Sequence, residues 1–266
     1  MTRIDYFKYT FNVAWGCCKV SPGCDNCYAE EDAAATYPLK IWGHNTQRRT
    51  FGVRYWNRPL QWNEAEKDAK RRPIVFCSSM ADVFERHTAI DQERPKLWPL
   101  IEATSNLDWL LITKRAENIE RNMPFDKHAV PWPNLWLAVS VEDDIRARVR
   151  LPFIAKLNVA VRGAHIEPLL GPVPTLAQYI NNLDWVLVGG ESCDENPEKA
   201  RPMQPAWAKE VKKICEGANV PFHFKQWGSQ KPVAVNTDGS IQFKAMKRWE
   251  AGRTFLGKTW DGHPAP

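Results

Sequence analysis

The sequence predicts an α/β fold, a full or partial parallel barrel, and three observations carry that expectation. Seven short runs are rich in β-branched and aromatic residues and apolar on both faces, as strands buried in a parallel sheet must be. Segments with helical patterning lie between them, so right-handed crossovers are the natural connections. Polar groups able to do chemistry follow the strand candidates, and the carboxyl ends of strands form the active face of such barrels.

In chain order, the first strand is expected at 11–15 and a helix at 29–37. The segment 37–72 is polar, with scattered Trp and no steady period, and reads as an irregular insertion over one end of the barrel. Strands at 74–78, 109–113, 135–141, 159–165 and 185–188 alternate with helices at 91–103, 115–122, 143–157 and 175–181. The entry Leu107-Asp108-Trp109 is echoed by Leu183-Asp184-Trp185, a weak internal repeat. The helix at 204–217 is the clearest. Pro205 suits its first turn, Gly217 its stop, and Val211, Ile214 and Cys215 form an apolar stripe. A last strand is expected at 221–225, and beyond Gly228 the core pattern fades into an irregular tail, 229–266. No Gly- or Ser-rich linker interrupts the chain, so residues 1–266 are expected to form one domain.

With 44% hydrophobic and 25% charged residues over 266 positions, disorder is excluded. The net charge of +5 is a mild basic bias, compatible with a polyanionic partner. Thirteen Trp are many; most are expected in the core, and those of 41–63 would offer rings for stacking a base. No apolar run is long enough to span a bilayer, and the charged start of the chain is unlike a signal peptide. Seven cysteines, an odd number in a chain too large to need staples, point to a reduced, cytoplasmic setting and to metal or redox chemistry.

Gly16-Cys17-Cys18-Lys19-Val20-Ser21-Pro22-Gly23-Cys24-Asp25-Asn26-Cys27 is the strongest local signal. Cys17, Cys24 and Cys27 stand at C-x6-C-x2-C spacing, and Pro22-Gly23 bends the chain between them. Thiolates suit zinc or an iron–sulfur cluster. A structural zinc site normally has four protein ligands, and no fourth Cys or His lies close by; His44 is the nearest downstream histidine. Three thiolates fit a 4Fe–4S cubane with one open iron. Spacing alone leaves open whether Cys17 or Cys18 is the first ligand. A zinc-stabilised nucleic-acid-binding protein without catalytic activity is the alternative. Cys77 and Cys215 fall on apolar patterns and read as core.

Read on through Ala29-Glu30, the cysteine segment resembles a phage-associated family of three-cysteine-motif proteins, itself similar to radical S-adenosylmethionine (SAM) enzymes. The resemblance extends over Ser79-Met80-Ala81-Asp82, Thr113-Lys114-Arg115, Ser140-Val141-Glu142, Glu167-Pro168, Gly189-Gly190-Glu191-Ser192 and Lys225-Gln226-Trp227-Gly228. The family's first cysteine directly follows a glycine, which selects Cys17. Three departures stand out. The usual radical SAM spacing is C-x3-C-x2-C, Gly189-Gly190-Glu191 comes late in the chain, and His165 occupies a position where the family commonly has serine.

The resemblance implies a 4Fe–4S cluster on Cys17, Cys24 and Cys27, whose open iron chelates SAM, and cleavage of SAM to methionine and a 5′-deoxyadenosyl radical that takes a hydrogen atom from substrate. Among the strand-end groups, Lys114, Glu142, Glu167 and Cys193 are the candidate catalytic residues. Ser79, Asp82, Thr113, Ser140, Glu142, Gly189, Gly190 and Glu191 are candidates for holding the cofactor. Lys114, Arg115, Lys225 and Gln226 would hold substrate, expected to be DNA, RNA or a nucleotide. A flavodoxin or ferredoxin would donate the electron, a protein partner is left open, and no membrane is involved.

Overall fold

The computed structural model describes residues 6–37, 40–124 and 132–264. Seven strands form one parallel sheet in the order of the chain: β1 (Tyr9–Phe11), β2 (Ile74–Cys77), β3 (Asp108–Thr113), β4 (Leu135–Ser140), β5 (Val161–Ile166), β6 (Trp185–Gly189) and β7 (Phe222–Gln226). The larger crossover helices are α1 (Tyr28–Thr36), α2 (Val53–Trp56), α3 (Arg58–Ala65), α4 (Thr88–Ala103), α5 (Ile119–Asn122), α6 (Asp144–Ile154), α7 (Leu176–Tyr179) and α8 (Pro205–Gly217).

The strand order never reverses, so right-handed crossovers place the helices on one face. The opposite face is buried by curling the sheet on itself. Tyr6, just ahead of β1, shows the curl, because its ring meets His165 of β5, Trp185 of β6 and His223 of β7 at 6.0, 5.7 and 5.5 Å. No ladder joins β7 to β1 among the described residues, so the barrel is partial.

Alternation along each strand divides the side chains between two cores. Val75, Leu111, Leu137, Val186 and Phe224 join the helix-side core. Ile74, Leu110, Trp136 and Leu187 line the concave side with Tyr6 and Trp185. Trp136 and Trp185 pack around His263, with centroids 5.3 and 5.6 Å from its ring. Both indoles are buried near the start of their strands, where they plug the narrow end of the half-barrel. Deleting a buried ring of this size costs about 3–5 kcal/mol.

The two sheet edges are covered, which removes templates for edge-to-edge association. Trp62 of α3 stacks on Tyr9 of β1 at 4.6 Å. At β7, residues near the end of the chain bridge His223 to Asp261, and Gly262 N donates to Phe222 O at 3.0 Å.

Several expected boundaries move. β1 ends at Phe11 because side chains replace the ladder beyond it. Asn12 Oδ1 accepts from Met80 N at 2.7 Å, and Ser78 Oγ accepts from Val13 N at 3.2 Å. α4 begins at Thr88, a turn earlier than expected, since its cap is the imidazole of His87, which accepts from Ala89 N, and not a Ser, Thr, Asp or Asn. It runs through Pro95 and Pro99 on the strength of its buried face, including Ile90, Leu97 and Ile101. The 37–72 segment is not simply irregular, because it contains α2 and α3. The tail also departs from expectation. It carries an antiparallel hairpin, β8 (Gln230–Val235) with β9 (Ile241–Ala245), and α9 (Arg248–Ala251). Asp238-Gly239 is the turn signal, with Gly239 at φ +83°. The hairpin's outer residues are largely exposed, which is why a search for core pattern passes over it. Positions 1–5, 38–39 and 265–266 of the expected start, insertion and tail lie outside the described residues. Among the described residues no helix is long and apolar enough to cross a membrane.

Candidate active site

A cavity of about 190 Å³ lies at the carboxyl ends of the strands, beyond the aromatic plug. The loop that follows β1 carries Cys17, Cys18, Cys24 and Cys27 onto its wall. Gly16 starts the loop at φ +112°, a conformation open to glycine, and its N–H donates to Met80 O at 2.9 Å. A 3-10 turn over Pro22–Cys24 then folds the loop back, so that Cys24 and Cys27 return to the same cavity as Cys17. Cys17 and Cys27 also pack on a small apolar cluster of Ala29, Ala33, Ile41, Trp42 and Met80; Cys18 does not. Burial pushes the Cys17 thiol up to about 12, against the pull of Arg115, and raises Cys27 as well. Metal binding at such thiols therefore releases protons. Among the described residues no group of three His, Cys, Asp or Glu side chains is placed to hold a metal ion.

Charged side chains clamp the loop from three sides. From β3, Arg115 Nη1 donates to Asp82 Oδ2 at 2.8 Å and reaches Cys17 Sγ at 3.5 Å, while Nη2 donates to Cys18 O at 2.9 Å. From β4, the fully buried Glu142 accepts from Ser21 Oγ at 2.7 Å and from Arg150 Nη1 at 2.9 Å. A Cβ added at Gly23 would overlap this carboxylate, so only glycine lets the loop approach so closely. From β6, Glu191 accepts from Asn26 Nδ2 at 3.0 Å and from the Arg201 guanidinium, whose Nη2 also donates to Pro22 O at 2.7 Å.

The expected site residues therefore divide. Ser79, Asp82, Thr113, Lys114, Arg115, Ser140, Glu167, Gly190, Glu191 and Lys225 come together around the cavity. Within this set, Arg115, Asp82 and Glu191 also make the hydrogen bonds that hold the loop or its support. Lys225 Nζ donates to Glu167 Oε2 at 2.6 Å, and Lys114 Nζ donates to Ser140 Oγ at 3.1 Å. Glu142, Gly189 and Gln226 lie behind the lining. Gln226 Nε2 donates to Glu167 Oε1 at 3.0 Å, and Gly189 leaves room for that same carboxylate. The structure does not bring Cys193 to the cavity. It is fully buried, its N–H donates to Ser229 Oγ at 3.0 Å, and burial pushes its thiol up to about 12. The Trp-rich segment likewise spends Trp56 and Trp62 on Phe11 and Tyr9, leaving Trp42 at the cavity.

Sequence reasoning missed Tyr6, Asn26, Ser192 and Arg248 as lining residues. Arg248 arrives from the tail, where Asp194 holds its guanidinium at 3.0 Å. No local pattern marks a tail residue as part of a distant cavity.

Buried imidazoles near the site tie stability to pH. Burial, with Lys225, His223 and Lys114, holds His165 well below the usual range. Burial and Arg253 hold His223 down at about 4, and burial lowers His263. These groups are neutral in the fold but take protons near pH 6.5 when unfolded, so stability is present above that pH and lost as pH falls. Burial pushes Asp108 up to about 6, against Arg72, and this offsets one imidazole between about pH 4 and 6. The melting temperature is expected to drop from pH 7 to pH 5. Each fully buried imidazole contributes about 1.4 kcal/mol per pH unit, and the half-buried His263 less because solvent screens it. His223→Phe should flatten the fall; a wild-type melting temperature that stays level over this range would contradict the argument.

A family model described as Protein of unknown function (DUF5131) matches residues 1–264. The chain belongs to this family. No curated protein matches this family member in sequence. Among solved structures it is similar to spore photoproduct lyase. A mutant of that protein with bound AdoMet and dinucleoside spore photoproduct has a TM-score of 0.49 at 10% identity, over 92% of this chain and 72% of that one. A second spore photoproduct lyase mutant has a TM-score of 0.45 at 13% identity, over 90% and 68% of the two chains.

Proposed function

We propose that this protein is a radical SAM enzyme of the phage-associated three-cysteine type, acting in the cytoplasm on a nucleic acid or nucleotide. The observation that carries the reading is the convergence of Cys17, Cys24 and Cys27 on one cavity at the carboxyl ends of parallel strands. The donor set fits a 4Fe–4S cluster. The three cysteines line one cavity, and the cysteines of such a cluster bind different irons, so they need not meet around a single ion. Cys17, Cys24 and Cys27 would hold the cluster, which would supply a binding site for SAM and the electron for its reductive cleavage to methionine and a 5′-deoxyadenosyl radical, with a flavodoxin or ferredoxin as the source of that electron.

The chain's own residues do the rest. Arg115 directs an N–H at Cys17 Sγ, and hydrogen bonds to such sulfurs tune reduction potential. Tyr6, Phe76 and Ile112 give the cavity a dry wall that protects reactive species from water. Lys114 and the Lys225–Glu167 pair supply charge for orienting an anionic substrate and the polar groups of the cofactor.

Anaerobic reconstitution followed by reduction tests the reading. The expected result is slow formation of 5′-deoxyadenosine without substrate and faster formation with single-stranded or damaged DNA or RNA. A fully loaded cluster that yields none under strong reductant, with or without nucleic acid, overturns the SAM chemistry. Stoichiometric zinc without iron or sulfide overturns the cluster as well and leaves a zinc-stabilised nucleic-acid-binding protein.

A further inference from the structure

Three buried side-chain polar atoms lack a hydrogen-bond partner among the described residues, and only one of them, His165 Nε2, belongs to a residue lining the cavity. His165 stands on the concave face of β5, in register with Ser140 of β4, whose hydroxyl accepts from Lys114 Nζ. It is 2% exposed, with the Tyr6 and Trp185 rings edge-on at 6.0 and 5.5 Å. A polar group buried among aromatic rings without a partner costs stability, so its retention here calls for a ligand that completes it. The positive groups around it and its burial keep the imidazole neutral, with one ring nitrogen a donor and the other an acceptor.

A neutral imidazole discriminates between ligand parts. A phosphate or carboxylate would be drawn to Lys114 in preference to an uncharged ring, so His165 suits an uncharged N–H or C=O edge. Tyr6, whose ring meets His165, and Phe76, elsewhere on the lining, offer flat apolar contact. A flat ring with an uncharged polar edge, tethered to an anion, is the description of a nucleobase carried on its phosphate.

We infer that His165 is a substrate-recognition residue whose Nε2 hydrogen-bonds the polar edge of a nucleobase unstacked into the cavity, with Lys114 toward the adjoining phosphate. The inference rests on the reading of the substrate as nucleic acid and deepens it. Such a base reaches the cavity from a single strand or by flipping from a duplex.

The test compares binding of a short mixed-sequence single strand with binding of an abasic strand of the same length, for wild type, His165→Phe and His165→Gln. Phosphate contacts are equal in the two strands. Wild type is expected to favour the base-bearing strand about tenfold, as one well-formed hydrogen bond to a buried partner allows. His165→Phe keeps the ring packing and loses the preference, while its abasic-strand affinity, iron content and substrate-free SAM cleavage stay at wild-type values. His165→Gln, which retains a neutral donor and acceptor, keeps part of the preference; should the phenyl ring prevent folding, His165→Leu provides the same comparison. Three outcomes overturn the inference: no base preference in wild type, an unchanged preference in His165→Phe, or a loss confined to substrate-free SAM cleavage, which would assign His165 to the cofactor. A His165-dependent base preference in protein that cleaves no SAM would sustain the inference and remove only the radical chemistry.

Discussion

Changing Cys17, Cys24 or Cys27 to alanine is expected to abolish iron incorporation, and Cys18→Ala is expected to retain it. Wild type reconstituted without oxygen should carry about four irons per chain, the content of one cubane. Each ligand variant should fall to background while keeping its fold. The structure adds a reason to separate the neighbours Cys17 and Cys18. Cys17 packs with Cys27 on the apolar cluster under the loop, whereas Cys18 is not part of that cluster and its sulfur lies 3.2 Å from Arg115 Nη2. Iron and sulfide analysis with circular dichroism checks this. Loss of iron in Cys18→Ala with retention in Cys17→Ala would move the first ligand by one position.

Glu142→Ala should be the most damaging change outside the cysteines. Glu142 is fully buried, and its removal leaves the Arg150 guanidinium, itself buried, with Ser140 O at 2.7 Å as its remaining acceptor among the described residues. Breaking a buried pair from one side costs about 3–5 kcal/mol, because an uncompensated charge stays behind. For a chain of this size that lowers the melting temperature on the order of 10 °C. The same change releases Ser21, and with it the middle of the cysteine loop. Iron should therefore pass to a chelator faster than in wild type at temperatures well below unfolding. Glu142→Gln keeps an acceptor and should fall between the two. A variant that melts with wild type would show that the pair is not holding the fold; one that melts lower but holds iron equally would confine Glu142 to stability.

The cysteine loop and the strand-end charges explain each other. Asp82 and Glu191, expected to hold the cofactor, and Glu142, expected there and in catalysis, are each matched to an arginine and each grips the loop or its support. Apart from the short turn over Pro22–Cys24 the loop has little secondary structure to hold three sulfurs in place, and charge-assisted hydrogen bonds from residues just beyond three different strands supply that rigidity. The other polar groups around the cavity include Lys114, Ser140, His165 and the Glu167–Lys225 pair.

The sequence by itself determined the parallel sheet, the seven strands to within a few residues and the convergence of the cysteines near the first strand. These features follow from local causes: apolar runs of strand length, the Pro205 and Gly217 helix signals, and a Pro-Gly bend between thiols. It also determined which strand ends carry polar groups. Only the tertiary structure decided which of those groups face the cavity. A one-residue change of face separates Ser192, on the lining, from Cys193, sealed in the core, and local patterning around the β6 exit does not specify that choice. Charge pairing is equally non-local. Arg201 reaches Glu191 and the cysteine loop from a stretch without periodic signal, and Arg248 comes from a tail that reads as patternless. His165 shows the same limit most sharply. Its position on a strand is legible from the sequence, but the lack of a partner for its Nε2 among the described residues is a property of every element packed around it.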